Sequence, residues 1–469
     1  MYQLYVKKEK HRYILEELVR EFLRPDEYEV VVQEEVREDS SEDVKSSGEQ
    51  RKKGPRQDAE KEERDAEKRR VFDELTALTG YRPEWGTLTG VRPAKLAGEM
   101  MDAGYSEEET AAAFRERYYV NEEKTDLVLE TCRNQRFLTS QPAGRTAGIY
   151  IGIPFCPTRC LYCSFASNPA DPDGMRRYLE ALLTEIDAVS ERMKELQIRP
   201  ESIYFGGGTP TSLDAGMLER LLARVRERFD MSGVKEFCVE AGRPDTVTEE
   251  KLLIMKEAGV DRISINPQTM NEKTLKIIGR SHSVEDVIDA FSLAQKCGIS
   301  KINADIIAGL PGEDAAMFRN TLQSVLALAP DNVTVHTLAV KRASRLKEEN
   351  ENYHYENAAH VGEMVRDARR VLTKKGYRPY YMYRQKHMAG NYENVSYSLP
   401  GSESVYNIRI MDEHQTIIAL GAGGISKAYY PENNRLVRVP NVSNYEIYIE
   451  RLGEMIGRKE EKLYGPFQR

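Results

Sequence analysis

The sequence lacks a long apolar segment. No run among its 469 residues approaches the ~18 apolar residues needed to cross a bilayer, and the N-terminal stretch "MYQLYVKKEKHRY" has no signal-peptide apolar region. We therefore expect a cytoplasmic protein without a membrane span. The net charge of -8 gives no bulk attraction to nucleic acid, so nucleic acid is not an expected partner.

Cysteine is scarce as well. Six cysteines in 469 residues are too few for a disulfide scaffold. Three of them, Cys156, Cys160 and Cys163, stand together in "FCPTRCLYCSF", and in a reducing compartment such a group indicates metal or redox chemistry. The others stand alone on apolar segments and are predicted to be core residues. They are Cys132, Cys238 and Cys297.

The spacing C-x3-C-x2-C limits which metal site is expected. Structural zinc usually takes four nitrogen or sulfur ligands in two paired elements, but no histidine falls between residues 12 and 281. Three thiolates suit a [4Fe-4S] cluster with one iron open to another ligand. A zinc or purely structural role is the less favoured alternative.

Composition and periodicity divide the chain into five regions. They are a small α/β segment (1–33), a mostly charged linker or fraying helix (34–70), a helical region (71–140), an α/β region (145–340) and a C-terminal substrate-side domain (341–469). The chain is long enough for two to four domains.

The region after residue 145 alternates strand-like apolar runs with helical segments. Six such runs, from "GIYIGIP" to "NVTVHTLAV", alternate with five helices, which predicts a parallel α/β sheet or barrel. Six units fall short of the eight of a complete barrel, so we expect a partial (β/α)6 barrel whose open side admits a large substrate. An α-rich α+β region precedes it and an α+β domain follows it. Chemistry is expected at the carboxyl ends of the strands.

With the cysteine motif placed after the first strand, the chain resembles the radical S-adenosylmethionine (SAM) superfamily. The resemblance implies that the three cysteines bind a [4Fe-4S] cluster and that SAM chelates the open iron. A reducing electron donor protein is then an implied partner. Cofactors of this kind carry the radical chemistry, and the protein binds and orients them.

Motifs at the other strand ends imply further contacts with SAM. "YFGGGTPT" resembles the methionine-binding motif of the family, and the arginine of "IIGRSH" matches the one that pairs with the SAM carboxylate. The implied SAM contacts are Tyr150, Phe165, Gly206, Gly207, Gly208, Thr209, Glu240, Gln268, Arg280 and Asp305. For Asp305, a purely structural strand role is the alternative.

The motifs resemble one family more specifically. "YIGIPFCPTRCLYCSF", "RISINPQT", "DIIAGLPG" and "ALGAGGIS" are similar to those of the oxygen-independent coproporphyrinogen III oxidase (dehydrogenase) family, which includes haem chaperones; "TGVRPAKLA" resembles the HemZ-type branch. The family implies oxidative decarboxylation of two propionates of coproporphyrinogen III to vinyl groups, giving protoporphyrinogen IX. The alternatives are a haem-binding chaperone-like protein without this activity and a radical SAM enzyme with another small-molecule substrate.

A tetracarboxylate substrate calls for basic residues at the mouth of the barrel. The candidates by position are Arg159, Arg243, Lys341, Arg342, Arg384 and Lys386, and ordinary solvated surface is the alternative for each. The tyrosines Tyr380, Tyr381 and Tyr383 either line a macrocycle or pack a strand.

The chain departs from the family pattern at four places. Gly152 stands where the family commonly has histidine, and Phe165 stands where the dehydrogenase type has a further cysteine and the chaperone type has phenylalanine. "INPQ" replaces the usual Gly-Val before Gln268. The family's Glu-x-x-Pro is one residue longer here, running from Glu240 to Pro244.

Overall fold

A computed structural model describes residues 1–32, 55–90, 92–141, 143–163, 168–169, 171–340, 344, 346, 358–385 and 388–468. These residues form two compact units, Met1–Glu130 and Thr131–Arg469. Four of the predicted site residues lie outside the described residues. They are Phe165, Lys341, Arg342 and Lys386.

The first unit is a small α+β fold. Its elements are β1 (Tyr2–Val6), α1 (Glu9–Val19), β2 (Tyr28–Val32), α2 (Pro55–Thr79), α3 (Pro93–Asp102) and α4 (Glu107–Ala112), and its boundary falls within α5 (Glu122–Thr139). Strands β1 and β2 pair in parallel, as a strand–helix–strand connection allows. Their core is formed by Leu4, Val6, Leu15, Leu18, Val71, Phe72 and Leu75.

Helix α2 begins inside the segment predicted as a charged linker or a fraying helix, and residues 55–70 follow the helical alternative. The charged residues of this helix are not all solvated. Glu67 is buried with its carboxylate 2.6 Å from His11 Nδ1, and Asp65 is buried with its carboxylate 2.8 Å from Arg117 Nη2. Because a buried charge with a partner looks like a solvated charge in the sequence, composition alone did not separate this helix from a linker.

The second unit contains the predicted α/β region. Strand β3 (Thr146–Ile153) is followed by the two-residue strands β4 (Phe155–Cys156) and β5 (Asn168–Pro169), which pair with each other. The next strands are β6 (Arg199–Gly207), β7 (Glu236–Glu240), β8 (Arg262–Ser264), β9 (Lys301–Ala308) and β10 (Asn332–Thr337). All six predicted strands form, and neighbouring members of this group pair in parallel, which confirms the α/β class.

Helices connect these strands in chain order. They are α6 (Pro172–Glu195), α7 (Ala215–Arg228), α8 (Glu249–Glu257), α9 (Glu272–Ile277), α10 (Val284–Lys296) and α11 (Ala315–Ala327). Several begin at a side chain that accepts a hydrogen bond from the first turn, such as Asp171 of α6 and Ser283 of α10. Among the described residues, no helix combines the length and the apolar character that a membrane span requires.

The described part of the C-terminal region extends the same sheet. Its elements are α12 (Ala358–Lys374), β11 (Arg378–Tyr383), β12 (Asn394–Ser398), α13 (Val405–Asp412), β13 (Thr416–Leu420), β14 (Ile425–Tyr430), β15 (Arg435–Pro440), α14 (Tyr445–Glu450) and α15 (Leu452–Lys462). The sheet has the order β11-β12-β10-β9-β8-β7-β6-β3-β13-β14-β15. The C-terminal strands therefore lie at both edges of the six-stranded parallel core.

Candidate functional site

A cavity of about 620 Å³ lies at the carboxyl ends of the parallel strands. This is where ligand sites form in α/β folds, and the volume is typical of a small-molecule site. Most of the predicted site residues border it. They are Tyr150, Cys156, Cys160, Cys163, Gly207, Gly208, Thr209, Glu240, Arg243, Gln268, Arg280 and Asp305.

The three cysteines reach the cavity from the loop that follows β3. None of the three forms a disulfide bond in the described part of the chain, and the amide of Cys163 donates to the carbonyl of Cys160 at 3.2 Å. The glycine run after β6 packs directly against this loop. A Cβ atom at Gly208 would lie 2.5 Å from the Phe155 carbonyl oxygen and 3.0 Å from Cys156 Sγ, so only glycine fits there.

The donor set fits an iron–sulfur cluster better than a single metal ion. Within the described ranges, no three histidine, cysteine or acidic side chains converge on one ion position. In a [4Fe-4S] cluster each cysteine binds a separate iron, so the sulfurs surround the cluster and need not meet at one point. Three thiols on one short loop therefore suit a cluster with one open iron and do not suit a structural zinc ion.

Three buried polar atoms on the cavity wall have no hydrogen-bond partner among the described residues. They are Asn266 Oδ1, Gln268 Oε1 and Arg280 Nε. Buried polar atoms are nearly always satisfied, so a group of them around one cavity indicates a polar ligand. Gln268 also has a backbone φ of 64°, in the left-handed region that non-glycine residues rarely adopt. Its amide donates to the Asp305 carbonyl at 2.9 Å, which holds this conformation.

Two carboxylates at the strand ends have opposite electrostatic environments. Burial raises the pKa of Glu240 to about 7, although Tyr204 donates a hydrogen bond of 2.5 Å to it. Burial also acts to raise the pKa of Asp305, but the hydrogen bond and charge of His336 lower it. Asn303 Nδ2 donates to Asp305 at 2.8 Å. Glu240 is therefore partly protonated at neutral pH, while Asp305 stays ionised.

The structure changes the interpretation of Gly206, which was predicted to contact SAM, and adds His336, which was not predicted. Gly206 does not border the cavity: a Cβ there would lie 3.1 Å from Glu240 Oε1, so this glycine makes room for the carboxylate. His336 on β10 was not predicted as a site residue, yet it borders the cavity with Nε2 3.5 Å from Asp305 Oδ2. The signal for His336 in the sequence was a histidine near the carboxyl end of the apolar strand "NVTVHTLAV", two residues after Thr334.

Tyrosines form an aromatic part of the wall. The rings of Tyr204 and Tyr406 stack with centroids 4.3 Å apart, and Tyr150 stacks on Tyr406 at 6.2 Å. Tyr406 comes from α13, so the sequence did not place it here. The predicted residues Tyr380, Tyr381 and Tyr383 border the cavity, while Tyr380 and Tyr381 also pack in a core cluster with Leu138 and Ile408.

Two of the predicted basic residues do not reach the cavity, and a third reaches it with its donors occupied. Arg159 is exposed and Arg384 is buried with Nη2 donating to the Asn391 carbonyl at 3.2 Å; neither borders the cavity. Arg243 does border it, but its N–H groups bond to protein acceptors at 2.6–3.3 Å. The assignment of these three arginines to substrate carboxylates is therefore not supported by their contacts.

Comparison with known proteins identifies the family of this chain. Residues 150–325 match the model of the Radical SAM superfamily. The oxygen-independent coproporphyrinogen-III oxidase-like protein HemZ of Bacillus subtilis is 41% identical over 402 residues, which is 84% of this chain and 80% of that protein. The chain belongs to the HemZ-type radical SAM family. The expected cofactors are thereby confirmed at family level, because radical SAM proteins use a [4Fe-4S] cluster and SAM.

Other relatives of this HemZ-type protein carry two different names. The haem chaperone HemW of Lactococcus lactis is 33% identical over 58% of this chain and 68% of that protein. The oxygen-independent coproporphyrinogen III oxidase of Paracoccus denitrificans is 33% identical over 43% of this chain and 45% of that protein. The fold matches that of Escherichia coli coproporphyrinogen III oxidase (HemN) with a TM-score of 0.53 at 18% identity, over 81% of this chain and 78% of that one. The family is therefore connected with haem biosynthesis.

Proposed function

We propose that this chain catalyses the oxygen-independent oxidative decarboxylation of coproporphyrinogen III, converting two propionates to vinyl groups and giving protoporphyrinogen IX. One observation carries the proposal. A single cavity at the strand ends is bordered by three thiols, by unpartnered polar atoms and by a tyrosine wall. The relatives named as coproporphyrinogen oxidases or oxidase-like proteins supply the substrate class.

The cofactor roles follow the chemistry of the side chains. Cys156, Cys160 and Cys163 would hold the cluster through their sulfurs. Arg280, whose Nε has no hydrogen-bond partner among the described residues, would bind the SAM carboxylate, and ionised Glu240 would bind the SAM amino group. When bound, the cluster and SAM supply the radical chemistry that removes a hydrogen atom from the substrate.

The remaining SAM contacts and the substrate surface lie on the same wall. Gln268 and Asp305 would bind the SAM ribose, since both border the cavity and Gln268 Oε1 is free to accept a hydrogen bond. Stacked tyrosine rings such as Tyr381 and Tyr383, with centroids 6.4 Å apart, offer a flat apolar surface to a tetrapyrrole. The protein's own contribution is to orient the reacting propionate and to exclude water.

A second function is favoured by two observations. HemW haem chaperones are among the relatives, and Phe165 follows the third cysteine where the dehydrogenase type has cysteine. In this alternative the chain keeps the cluster and SAM, but binds and delivers haem without decarboxylating a porphyrinogen.

Anaerobic turnover separates the two functions. The reconstituted protein is incubated with coproporphyrinogen III, SAM and a low-potential reductant, and porphyrinogens and 5'-deoxyadenosine are quantified. We expect protoporphyrinogen to accumulate together with 5'-deoxyadenosine, and a Cys297→Ser variant to behave as the wild type because that thiol does not border the cavity. Stoichiometric haem binding and SAM cleavage without any protoporphyrinogen would instead support the haem-delivery function.

A further inference from the structure

The turn after β7 contains the one-residue insertion in the family's Glu-x-x-Pro pattern. Here Glu240 is followed by Ala241, Gly242 and Arg243 before Pro244. The guanidinium of Arg243 is almost completely buried, at 3% exposure, beside the cavity. A buried guanidinium is stable only where its donors are satisfied, so its partners define what it does.

Arg243 joins three segments that are distant in sequence. Its Nε and Nη2 donate to the two carboxylate oxygens of Asp245 at 3.2 and 3.1 Å, and Nη2 also donates to Ser281 Oγ at 2.6 Å. Its Nη1 donates to the hydroxyl of Thr158 at 3.0 Å and to the Thr158 carbonyl at 3.3 Å. Thr158 lies between Cys156 and Cys160, so the contact reaches the cysteine loop itself.

Further hydrogen bonds near Arg243 also connect the cysteine loop to the segment around residue 280. Thr158 Oγ1 donates to the Gly279 carbonyl at 3.0 Å, and the Leu161 amide donates to the Ile278 carbonyl at 3.0 Å. The lengthened turn after β7 also contacts Arg280, because the Gly242 carbonyl accepts a hydrogen bond from Arg280 Nη1 at 2.9 Å. The cysteine loop is therefore bonded to the segment that carries Arg280, with the guanidinium of Arg243 at the junction.

We infer that Arg243 is a positioning residue that holds the cysteine loop in the conformation that receives the iron–sulfur cluster. The inference rests on the proposed cluster ligation by the three cysteines. Between Cys156 and Cys163 the loop has no helix and only the end of β4, so it depends on such contacts for its shape. A planar guanidinium fixes direction as well as distance, and a loop ordered before binding loses less entropy when the cluster enters.

Cluster retention tests the inference without relying on turnover. Each variant is reconstituted anaerobically with iron and sulfide, desalted, and challenged with a chelator in the absence of SAM and substrate. We expect Arg243→Gln to lose its iron about tenfold faster than the wild type, since charged hydrogen bonds to the loop are removed. Arg243→Lys keeps the charge without the fork and should fall between the two.

Two further variants separate loop positioning from general destabilisation. Arg409→Gln removes another buried arginine, which is paired with Glu201 at 2.8 Å and does not itself line the cavity. This variant should lower the melting temperature while iron is lost at the wild-type rate. Thr158→Val removes the exposed hydroxyl that accepts a hydrogen bond from Arg243 Nη1. It should accelerate iron loss even if Arg243→Gln does not fold.

Two results would overturn the inference. One is iron loss from Arg243→Gln and Thr158→Val at the wild-type rate; the other is equal acceleration in Arg409→Gln. A wild-type protein that holds no iron after reconstitution would contradict the proposed function, and this inference with it.

Discussion

Single residues in the cavity wall combine tight packing with unsatisfied polarity. Gly208 leaves no room for a side chain beside Cys156, whereas Gln268 and Arg280 carry buried polar atoms that no described residue satisfies. A non-glycine residue such as Gln268 with its backbone in the left-handed region costs on the order of 1–3 kcal/mol of folding free energy. It persists only where its surroundings fix it. This combination is typical of a binding site, where local strain and open hydrogen-bonding groups are retained for a ligand.

The cysteine assignment is testable one residue at a time. Replacing Cys160 by alanine removes one of the three proposed iron ligands, so we expect the visible absorbance of the cluster and the iron content to fall to background after reconstitution. Cys297→Ala is the matched control, because that thiol does not border the cavity and its loss should leave iron content unchanged. Full iron content in Cys160→Ala would contradict the assignment.

Among the elements, the glycine-rich turn between β13 and β14 holds the end of β3. The amide of Gly421 donates to the carboxylate of buried Glu185 at 2.7 Å, and Lys459 donates to the same carboxylate at 2.7 Å. Tyr178 donates to the Gly152 carbonyl at 2.6 Å and accepts from the next amide of the turn at 3.0 Å. A Cβ at Gly152 would lie 3.3 Å from the Ala422 carbonyl oxygen and 3.4 Å from the Leu420 carbonyl oxygen, so a side chain at this position would pack tightly against both.

We expect Gly421→Ala to destabilise the protein more than Gly401→Ala. Both glycines have φ near +85°, so each alanine costs roughly 1–2 kcal/mol for the left-handed backbone. At Gly401 no atom of the described residues lies within 4 Å of the added Cβ, whereas at Gly421 the Cβ would lie 2.5 Å from the Gly152 carbonyl oxygen. Overpacking should add roughly 1–3 kcal/mol at Gly421 alone. Urea unfolding measures both variants, and equal losses of stability would contradict the packing argument.

Elements with a local signal were predictable, and elements that depend on distant partners were not. The six parallel strands form as predicted because apolar runs flanked by glycine or proline mark them in the sequence. For the first turns of α2 the sequence left a charged linker and a fraying helix open, because the buried charges that His11 and Arg117 satisfy look like solvated charges in the sequence. Arg243 was named as a substrate contact from its position alone. Its acceptor Thr158 lies 85 positions away in the chain, so this contact is visible only in the fold.

For the second unit as a whole, the sheet is continuous across the region predicted as two domains. Strand β13 pairs in parallel with β3 from Thr416 to Leu420, and β12 pairs antiparallel with β10. Strand β3 therefore lies in the interior of the sheet, and the cysteine loop that follows it starts from a strand bonded on both sides. No sequence pattern records pairing between strands so far apart, so the continuity of this sheet could not be predicted from the sequence.

The stability of the cofactor-free protein should depend on pH through Glu240. Burial raises the pKa of this carboxyl from 4.5 to about 7, so ionising it in the folded state opposes folding. The cost in folding free energy is absent below the unfolded pKa, grows as pH rises, and is complete above pH 7, where it reaches at most about 3 kcal/mol.

Glu240→Gln keeps an acceptor for Tyr204 but cannot ionise. Urea unfolding at pH 5 and pH 8 should therefore show this variant gaining stability over the wild type mainly at pH 8. An equal gain at both values would mean that Glu240 does not ionise with a raised pKa.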